Sequence, residues 1–253
     1  MLLKTLKIVE SRADLDLIPK GKILINTINA HSYNVAQKDT AFAAALTGGD
    51  YLVPDGASIV KACRWIHAAS QPKERIAGWD LFIHEMNRTA EEAQQQGEQR
   101  TVMFMGSSEK VLSLIRQRCA AEYPMLHVET YSPPYCPEFS PADSAAIINA
   151  INQAQPDLLW IGMTAPKQEK WTYEHWHELD IQCHVGTIGA VFDFFAGTVK
   201  RAPSWWQDHS LEWLYRLIKE PRRLWRRYII GNMIFIWNMR KETLSRISEL
   251  ENY

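Results

Sequence analysis

Asp157-Leu158-Leu159-Trp160-Ile161-Gly162-Met163-Thr164-Ala165-Pro166-Lys167-Gln168-Glu169 passes from an apolar run to a polar, proline-marked one. The apolar half has no exposed face to spare, which predicts a strand over 157–162 covered on both sides. Pro166 stands where a helical pattern begins, and that pattern runs over 167–179. A buried strand feeding directly into a helix is half of a βαβ unit.

The same alternation extends outward in both directions. Upstream it gives strands over 22–28, 51–53, 101–105 and 126–130. Between them lie helices over 32–46 (Val35, Ala36, Phe42 and Leu46 inward), 57–69, 79–96, 109–122 and 142–153. Downstream, residues 182–185 form a sixth strand. The expectation is an α/β fold: a Rossmann-like parallel sheet with helices on both faces over residues 1–196, plus a C-terminal helical basic appendage over 197–253. No internal repeat or low-complexity linker interrupts it.

Ligands of an open parallel sheet sit beyond the carboxyl ends of its strands. Those ends read Thr27-Ile28-Asn29-Ala30-His31, Pro54-Asp55-Gly56, Gly106-Ser107-Ser108, Thr164-Ala165-Pro166-Lys167-Gln168 and Gly186-Thr187-Ile188-Gly189. All are small, polar or glycine-rich although the strands are greasy. Asp55 is open to two readings, a helix-capping aspartate or a general base for an acceptor hydroxyl, and spacing alone favours the cap. The start of the 167–179 helix is equally a plain helix N-terminus or a diphosphate receptor, with free amides and the Lys167 and Gln168 donors. Gly106 before its helix is weaker evidence of the same type. No GxGxxG follows a strand and no GxxxxGK[ST] occurs, so dinucleotide and P-loop readings lack a motif. His175-Trp176-His177 puts its imidazoles on different helix faces and does not make a metal pair.

Charge is near balance, −1 overall, but unevenly placed. From Lys200 to Lys241 ten Lys/Arg face three acids, a net of +7 that leaves −8 for the rest, and five of the ten Trp fall there. Pro221 breaks this segment into two helical stretches. In the second, Arg222, Arg223, Arg226 and Arg227 lie on one side and Leu224, Trp225, Tyr228 and Ile229 roughly opposite. That pattern suits a solvated basic face or a helix lying in a membrane interface. Its longest apolar run, 229–239, is far short of the ~20 residues that span a bilayer. The acidic body and the absence of a recognised module argue against a nucleic-acid partner. Four dispersed cysteines argue against a zinc site or redox pair.

Taken in order, several motifs resemble the WecG/TagA/CpsF glycosyltransferases. They are Thr27-x-Asn29, Pro54-Asp55-Gly56-x-x-x-Val60, Glu74-Arg75-x-x-Gly78-x-Asp80-Leu81 and Pro166-Lys167-Gln168-Glu169. Gly189-x-x-Phe192-Asp193-x-x-x-Gly197 and Arg201-Ala202-Pro203 follow. The series ends in Leu211-Glu212-Trp213-Leu214-Tyr215-Arg216 and Glu220-Pro221-x-Arg223-x-x-Arg226. The resemblance covers about residues 23–227. It implies an inverting, metal-independent transfer of a sugar from a UDP-sugar to a polyprenyl-diphosphate-linked sugar. The work would be done peripherally at the cytoplasmic face of a bacterial inner membrane, in cell-surface polysaccharide synthesis, with no cofactor. It implies Asp55 as catalytic base, with Thr27 and Arg75 beside it. Asn29, Gly106, Pro166, Lys167, Gln168 and Gly189 become candidate substrate-binding positions. Arg216, Arg223 and Arg226 would close over the diphosphate. The stretch Asn29–Asn34 varies with the donor, so the sugar stays open among N-acetylmannosamine, its uronic acid and a hexose.

Two rivals set the tests. A Rossmann-type enzyme for another nucleotide cofactor would bind NAD or S-adenosylmethionine but not UDP. A membrane-docked adaptor without catalysis would tolerate Asp55→Asn. On the transferase reading, truncation after about Gly197 abolishes transfer and membrane attachment while the body stays folded.

Overall fold

The computed structural model describes the backbone over residues 1–250 and side chains over 1–207 and 209–244; residues 251–253 of the expected appendage lie outside the described residues. Six strands form one sheet: β1 Ile23–Ile28, β2 Tyr51–Pro54, β3 Arg100–Gly106, β4 Leu126–Tyr131, β5 Leu158–Gly162 and β6 His184–Thr187. All pairs are parallel and the order is β2-β1-β6-β5-β3-β4. The α/β expectation holds. Early and late strands meet at β1–β6–β5, so loops from distant parts of the chain converge beyond their carboxyl ends.

Helices α1 Ala30–Ala36, α2 Thr40–Thr47, α3 Ala57–Trp65, α4 Gly78–Gln96, α5 Glu109–Glu122, α6 Pro141–Ala154, α7 Lys167–Glu174 and α8 Gly189–Ala196 complete the body. The two-residue period of the strands sorts their side chains between two cores. Phe104, Leu158 and Trp160 face α4, α5 and α8. Met103, Met105, Leu159 and Ile161 face α6 and α7. Both faces are therefore sealed, which is why β5 has no polar residue.

Three elements differ from expectation. The helix expected over 32–46 is two helices, because Asp39 accepts the Phe42 amide at 2.9 Å and starts α2 afresh. The helix expected over 167–179 stops at Glu174, and a single 3-10 turn, Trp176–Glu178, finishes it. The helix expected over 57–69 ends at Trp65.

The C-terminal segment forms α9 Ser204–Asp208, α10 Glu212–Lys219, α11 Pro221–Trp225, a π-helical turn Arg226–Ile230 and α12 Gly231–Leu250. Pro221 takes the first position of α11, where a missing amide is harmless. This segment does not hang free. Phe235 and Met239 of α12, 4% and 0% exposed, share a core with Leu3, Ile28 and Tyr33. Glu242 accepts the amides of Leu3 and Lys4, each at 3.0 Å, and the Tyr33 hydroxyl. Losing one such core side chain costs about 2–5 kcal/mol, against a total stability of about 5–15 kcal/mol. Truncation after Gly197 would strip this core, so point substitutions are the sounder test of the appendage.

Candidate active site

Beyond the carboxyl ends of β1, β2, β5 and β6 lies an open cleft of about 2060 Å³, roofed by α10, α11 and the start of α12. A single small-molecule pocket occupies about 300–1,000 Å³, so this one has room for two substrates.

Asp55 lies at its floor. It does not cap α3, the helix that follows it in sequence: the residue before α3 is Gly56, which makes no side-chain cap bond. The Asp55 carboxylate instead accepts the Gly78 amide at 3.0 Å on one oxygen and the Asn29 side-chain amide at 3.3 Å on the other. Solvent reaches it through the cleft, but protein closes it in on the other sides. Burial raises its pKa; the Arg75 charge, the Gly78 amide and Asn29 oppose that rise without cancelling it. A carboxylate held in this way is more basic than usual while still oriented, which suits a general base.

Asn29 does two things at once. Its Oδ1 caps α1 by accepting the amides of His31 and Ser32 at 3.0 and 3.1 Å, which aims its amide nitrogen at Asp55. Thr27 lines the cleft alongside. Arg75 donates to Glu212 of α10 at 2.7 Å, and Arg201 approaches the same carboxylate at 3.5 Å. Burial works against the Arg75 charge, but the Glu212 bond and the Asp55 charge hold its pKa raised. Glu212 thus ties the appendage to the cations beside Asp55.

Gln168 is a brace. Its Oε1 accepts the amides of Met163 and Gly189 at 3.0 and 3.1 Å, joining the ends of β5 and β6. Gly189 must be glycine here, since a Cβ would lie 2.2 Å from the Met163 carbonyl oxygen. Lys167 donates to the Cys136 carbonyl at 2.6 Å and sits 3.4 Å over the Phe139 ring, so it organises the loop before α6. Pro166 precedes α7 as its cap residue, and all four positions line the cleft.

Two expected positions fall elsewhere. Gly106 does not line the cleft; at φ +121° a Cβ would strike the Gly162 backbone at 2.3 Å, so it serves the close approach of β3 and β5. The cleft wall there is Ser107 and Ser108. Arg226 is exposed, its guanidinium 5.4 Å from the Trp225 ring, and does not line the cleft either. Arg216, Glu220, Arg223 and Arg227 do. Arg216 comes from α10, Glu220 from the break before α11, and Arg223 and Arg227, one turn apart, from the helical stretch that follows. The four arginines expected on one side are therefore split between two.

The cleft also holds His31, Arg201 and Glu169, to which the sequence reading gave no role. Burial, with the Arg227 charge adding to it, brings His31 down to about 4. Glu169 is 3% exposed and burial pushes it up to about 7. Because the unfolded acid titrates near 4.5, the folded chain binds the extra proton between those values. Stability is then lost as pH rises through that window. Glu169→Gln is expected to be more stable than wild type by on the order of 3 kcal/mol at pH 8, with most of that gain gone at pH 5. Urea unfolding at the two pH values checks it; an equal gap at both would show that burial does not set the titration.

The chain has one Asp-x-Asp triplet, Asp14-Leu15-Asp16, a pattern with which transferases hold a divalent ion. Here Asp14 accepts the Ser11 and Glu10 amides at 2.8 and 3.2 Å, and neither acid lines the cleft. Among the described residues no three His, Cys, Asp or Glu side chains gather as a metal site, and no helix is long and apolar enough to cross a membrane.

The model of the family described as "Glycosyl transferase WecG/TagA/CpsF family" matches residues 5–249. An "N-acetylglucosaminyldiphosphoundecaprenol N-acetyl-beta-D-mannosaminyltransferase" of Bacillus subtilis (strain 168) is 31% identical over 206 residues, 81% of this chain and 75% of the relative. A protein of the same name from Bacillus spizizenii (strain ATCC 23059 / NRRL B-14472 / W23) is 30% identical over 210 residues, 83% of this chain and 76% of its own. The match runs from the first turn of the body into α12, over the strand ends that build the cleft and the helices that roof it. The chain belongs to the WecG/TagA/CpsF family of glycosyltransferases.

Proposed function

We propose that this glycosyltransferase inverts the anomeric centre of a UDP-sugar, passing the sugar to a polyprenyl-diphosphate-linked acceptor without a divalent metal. The observation that carries it is Asp55, an oriented carboxylate of raised pKa on the cleft floor, facing a roof of arginines. Asp55 takes the proton from the acceptor hydroxyl as that oxygen attacks the anomeric carbon. The bond from that carbon to the diphosphate breaks, and its electron pair leaves with the diphosphate. Arg216, Arg223 and Arg227 line the same cleft, and in this reading they stabilise that charge as it develops. A single displacement turns an α donor into a β product, in keeping with the "beta" in the relatives' names. Their names also supply the acceptor class, a sugar on undecaprenyl diphosphate.

The test is UDP release from a panel of UDP-sugars with a short-chain lipid-diphosphate sugar, with and without EDTA. Release that needs the acceptor and survives chelation is expected. Release abolished by EDTA would contradict the metal-free scheme, and none with any donor would contradict the reading itself.

The membrane face belongs to the same proposal. Trp225, Ile229, Met233 and Trp237 are exposed at four-residue spacing, from 41% to 68%, so they form one apolar stripe. Arg222, Arg226, Arg240 and Lys241 are exposed on the same helices. Each such cation adds about 1 kcal/mol on an anionic leaflet, so the set suffices for reversible docking at the cytoplasmic face. Trp225→Glu with Trp237→Glu is expected to weaken co-sedimentation with anionic vesicles about tenfold or more. Unchanged sedimentation would remove the stripe from the proposal.

A further inference from the structure

Two helices turn matched faces into the cleft. From α3 come Ser58, Lys61, Ala62 and Trp65, and from α12 come Asn232, Phe235, Ile236 and Met239. Each set follows the i, i+3, i+4, i+7 spacing of one helical face. Ile59, Ala62 and Cys63 of α3 belong to the same core as Phe235 and Met239 of α12. Outside that core Lys61, Trp65 and Ile236 are exposed, Trp65 at 46% and Ile236 at 47%. Asp55, Gly56 and Ala57 line the cleft up to Ser58. The two helices thus form a groove with an apolar bed that starts from Asp55.

Outward from Asp55 the chemistry of the α3 wall changes in a fixed order. Lys61 stands about one turn beyond the start of α3 and Trp65 about two. A carboxylate, then a cation, then an aromatic ring match the parts of a lipid-linked acceptor in sequence: sugar hydroxyl, diphosphate, isoprenoid chain. Among the described residues the Lys61 ammonium has no hydrogen bond or ion pair. Arg64 of the same helix is engaged, donating to the Lys73 carbonyl at 2.9 Å, and does not line the cleft.

The far end of the groove points to the same substrate. Ile236 lies one turn from Met233 on α12, and Met233 belongs to the exposed stripe with Trp225, Ile229 and Trp237. The groove therefore opens onto the face assigned above to the membrane. A nucleotide sugar is water-soluble and needs no such opening, whereas an acceptor on a prenyl chain has to arrive from the bilayer. The arginines of the roof are left for the diphosphate of the donor.

We propose that the groove between α3 and α12 holds the acceptor's diphosphate and its first isoprenoid units, with Lys61 on the diphosphate and Trp65 and Ile236 along the chain. This rests on the lipid-linked acceptor reading above.

Steady-state kinetics of the full chain test it, with the UDP-sugar of the panel that gives turnover and N-acetylglucosamine on farnesyl diphosphate as acceptor. Farnesyl diphosphate without the sugar is expected to compete with the acceptor and not with the UDP-sugar. Lys61→Ala is expected to raise both the acceptor KM and the inhibition constant of farnesyl diphosphate about tenfold. Its kcat at saturating acceptor and its calorimetric affinity for UDP should stay within about twofold of wild type, the mark of lost ground-state binding. Trp65→Ala should raise the acceptor KM about fivefold or more with the farnesyl chain, and by less with a dimethylallyl chain. An acceptor KM that stays within about twofold of wild type in Lys61→Ala overturns the proposal. So does a UDP affinity that falls alongside it, which would put Lys61 on the donor. Farnesyl diphosphate that competes with the UDP-sugar, or equal effects of Trp65→Ala on the two chains, overturn it too. Wild type that transfers to a lipid-free N-acetylglucosamine glycoside as readily as to the farnesyl-linked one, or to neither, would instead sink the lipid-acceptor reading, and the groove with it.

Discussion

Asp55→Asn is expected to lower kcat by about 10³-fold, the contribution of a positioned general base, while UDP binding stays close to wild type. Asparagine has the same shape and its carbonyl can still accept the Gly78 amide that now bonds at 3.0 Å. What it loses is the ability to take a proton, along with the second oxygen that accepts the Asn29 amide. The pH profile carries the second half of the test. Asp55 must be ionised to act, and burial holds its pKa above the usual 3.8. Wild-type kcat/KM should therefore fall as pH drops through a midpoint above that value, and this acid limb should vanish in Asp55→Asn. Glu169, pushed up to about 7, is the competing source of such a limb. A limb that survives in Asp55→Asn and disappears in Glu169→Gln belongs to Glu169 instead. An Asp55→Asn enzyme with more than a tenth of wild-type turnover would end the base assignment.

The fold was legible because the sheet is sealed on both faces. Leu158-Leu159-Trp160-Ile161 cannot be anything but interior, and its neighbours repeat the pattern at regular intervals. Less visible were breaks made by one polar side chain, as at Asp39, because a capping bond leaves the apolar periodicity almost untouched. The docking of Phe235 and Met239 against Leu3 and Tyr33 was hidden for a different reason. Contacts between the two chain ends have no local signature, and the basic character of the segment suggested a free appendage.

The site divides along similar lines. Asp55 is legible as a carboxylate at a strand end, but its reach past α3 to the first amide of α4 and to the Asn29 side chain is not. Glu169 and Glu212 read as ordinary acids in first helical turns. Their roles depend on burial and on Arg75, which is 137 residues away from Glu212 in the chain. Gly106 reads in the sequence as a ligand-side glycine after a strand, whereas its need is steric, against Gly162.

Arg227→Ala is expected to lower kcat/KM about 10²–10³-fold, the loss seen when one donor to a developing oxyanion is removed. Arg226→Ala, with a short-chain acceptor that bypasses the membrane, should change it by no more than about twofold. Motif order puts Arg226 in the reactive set, but Arg227 lies one helical turn after Arg223 and lines the cleft with it, whereas Arg226 rests against Trp225. Arg227 is held there at a cost. Burial lowers its pKa, Arg216 and Arg223 repel it, Asp55 and Tyr228 only partly compensate, and its Nε has no partner. Arg223 is exposed and pairs with Glu220 at 2.6 Å, so the cation that is poorly explained as a stabilising device is Arg227, because a buried charge without a close partner is destabilising. It is well explained as a receptor whose counter-charge arrives with the diphosphate. The two explanations part on stability. If Arg227 served the fold, Arg227→Ala would lower the melting temperature; if it waits for an anion, melting should hold or rise while stabilisation by added UDP shrinks. Arg227→Lys should restore only part of the activity, since a lysine keeps the charge but not the two-pronged geometry that fits a phosphate. A larger loss in Arg226→Ala than in Arg227→Ala would reverse the assignment and place the helix roughly one residue out of register with the cleft it covers.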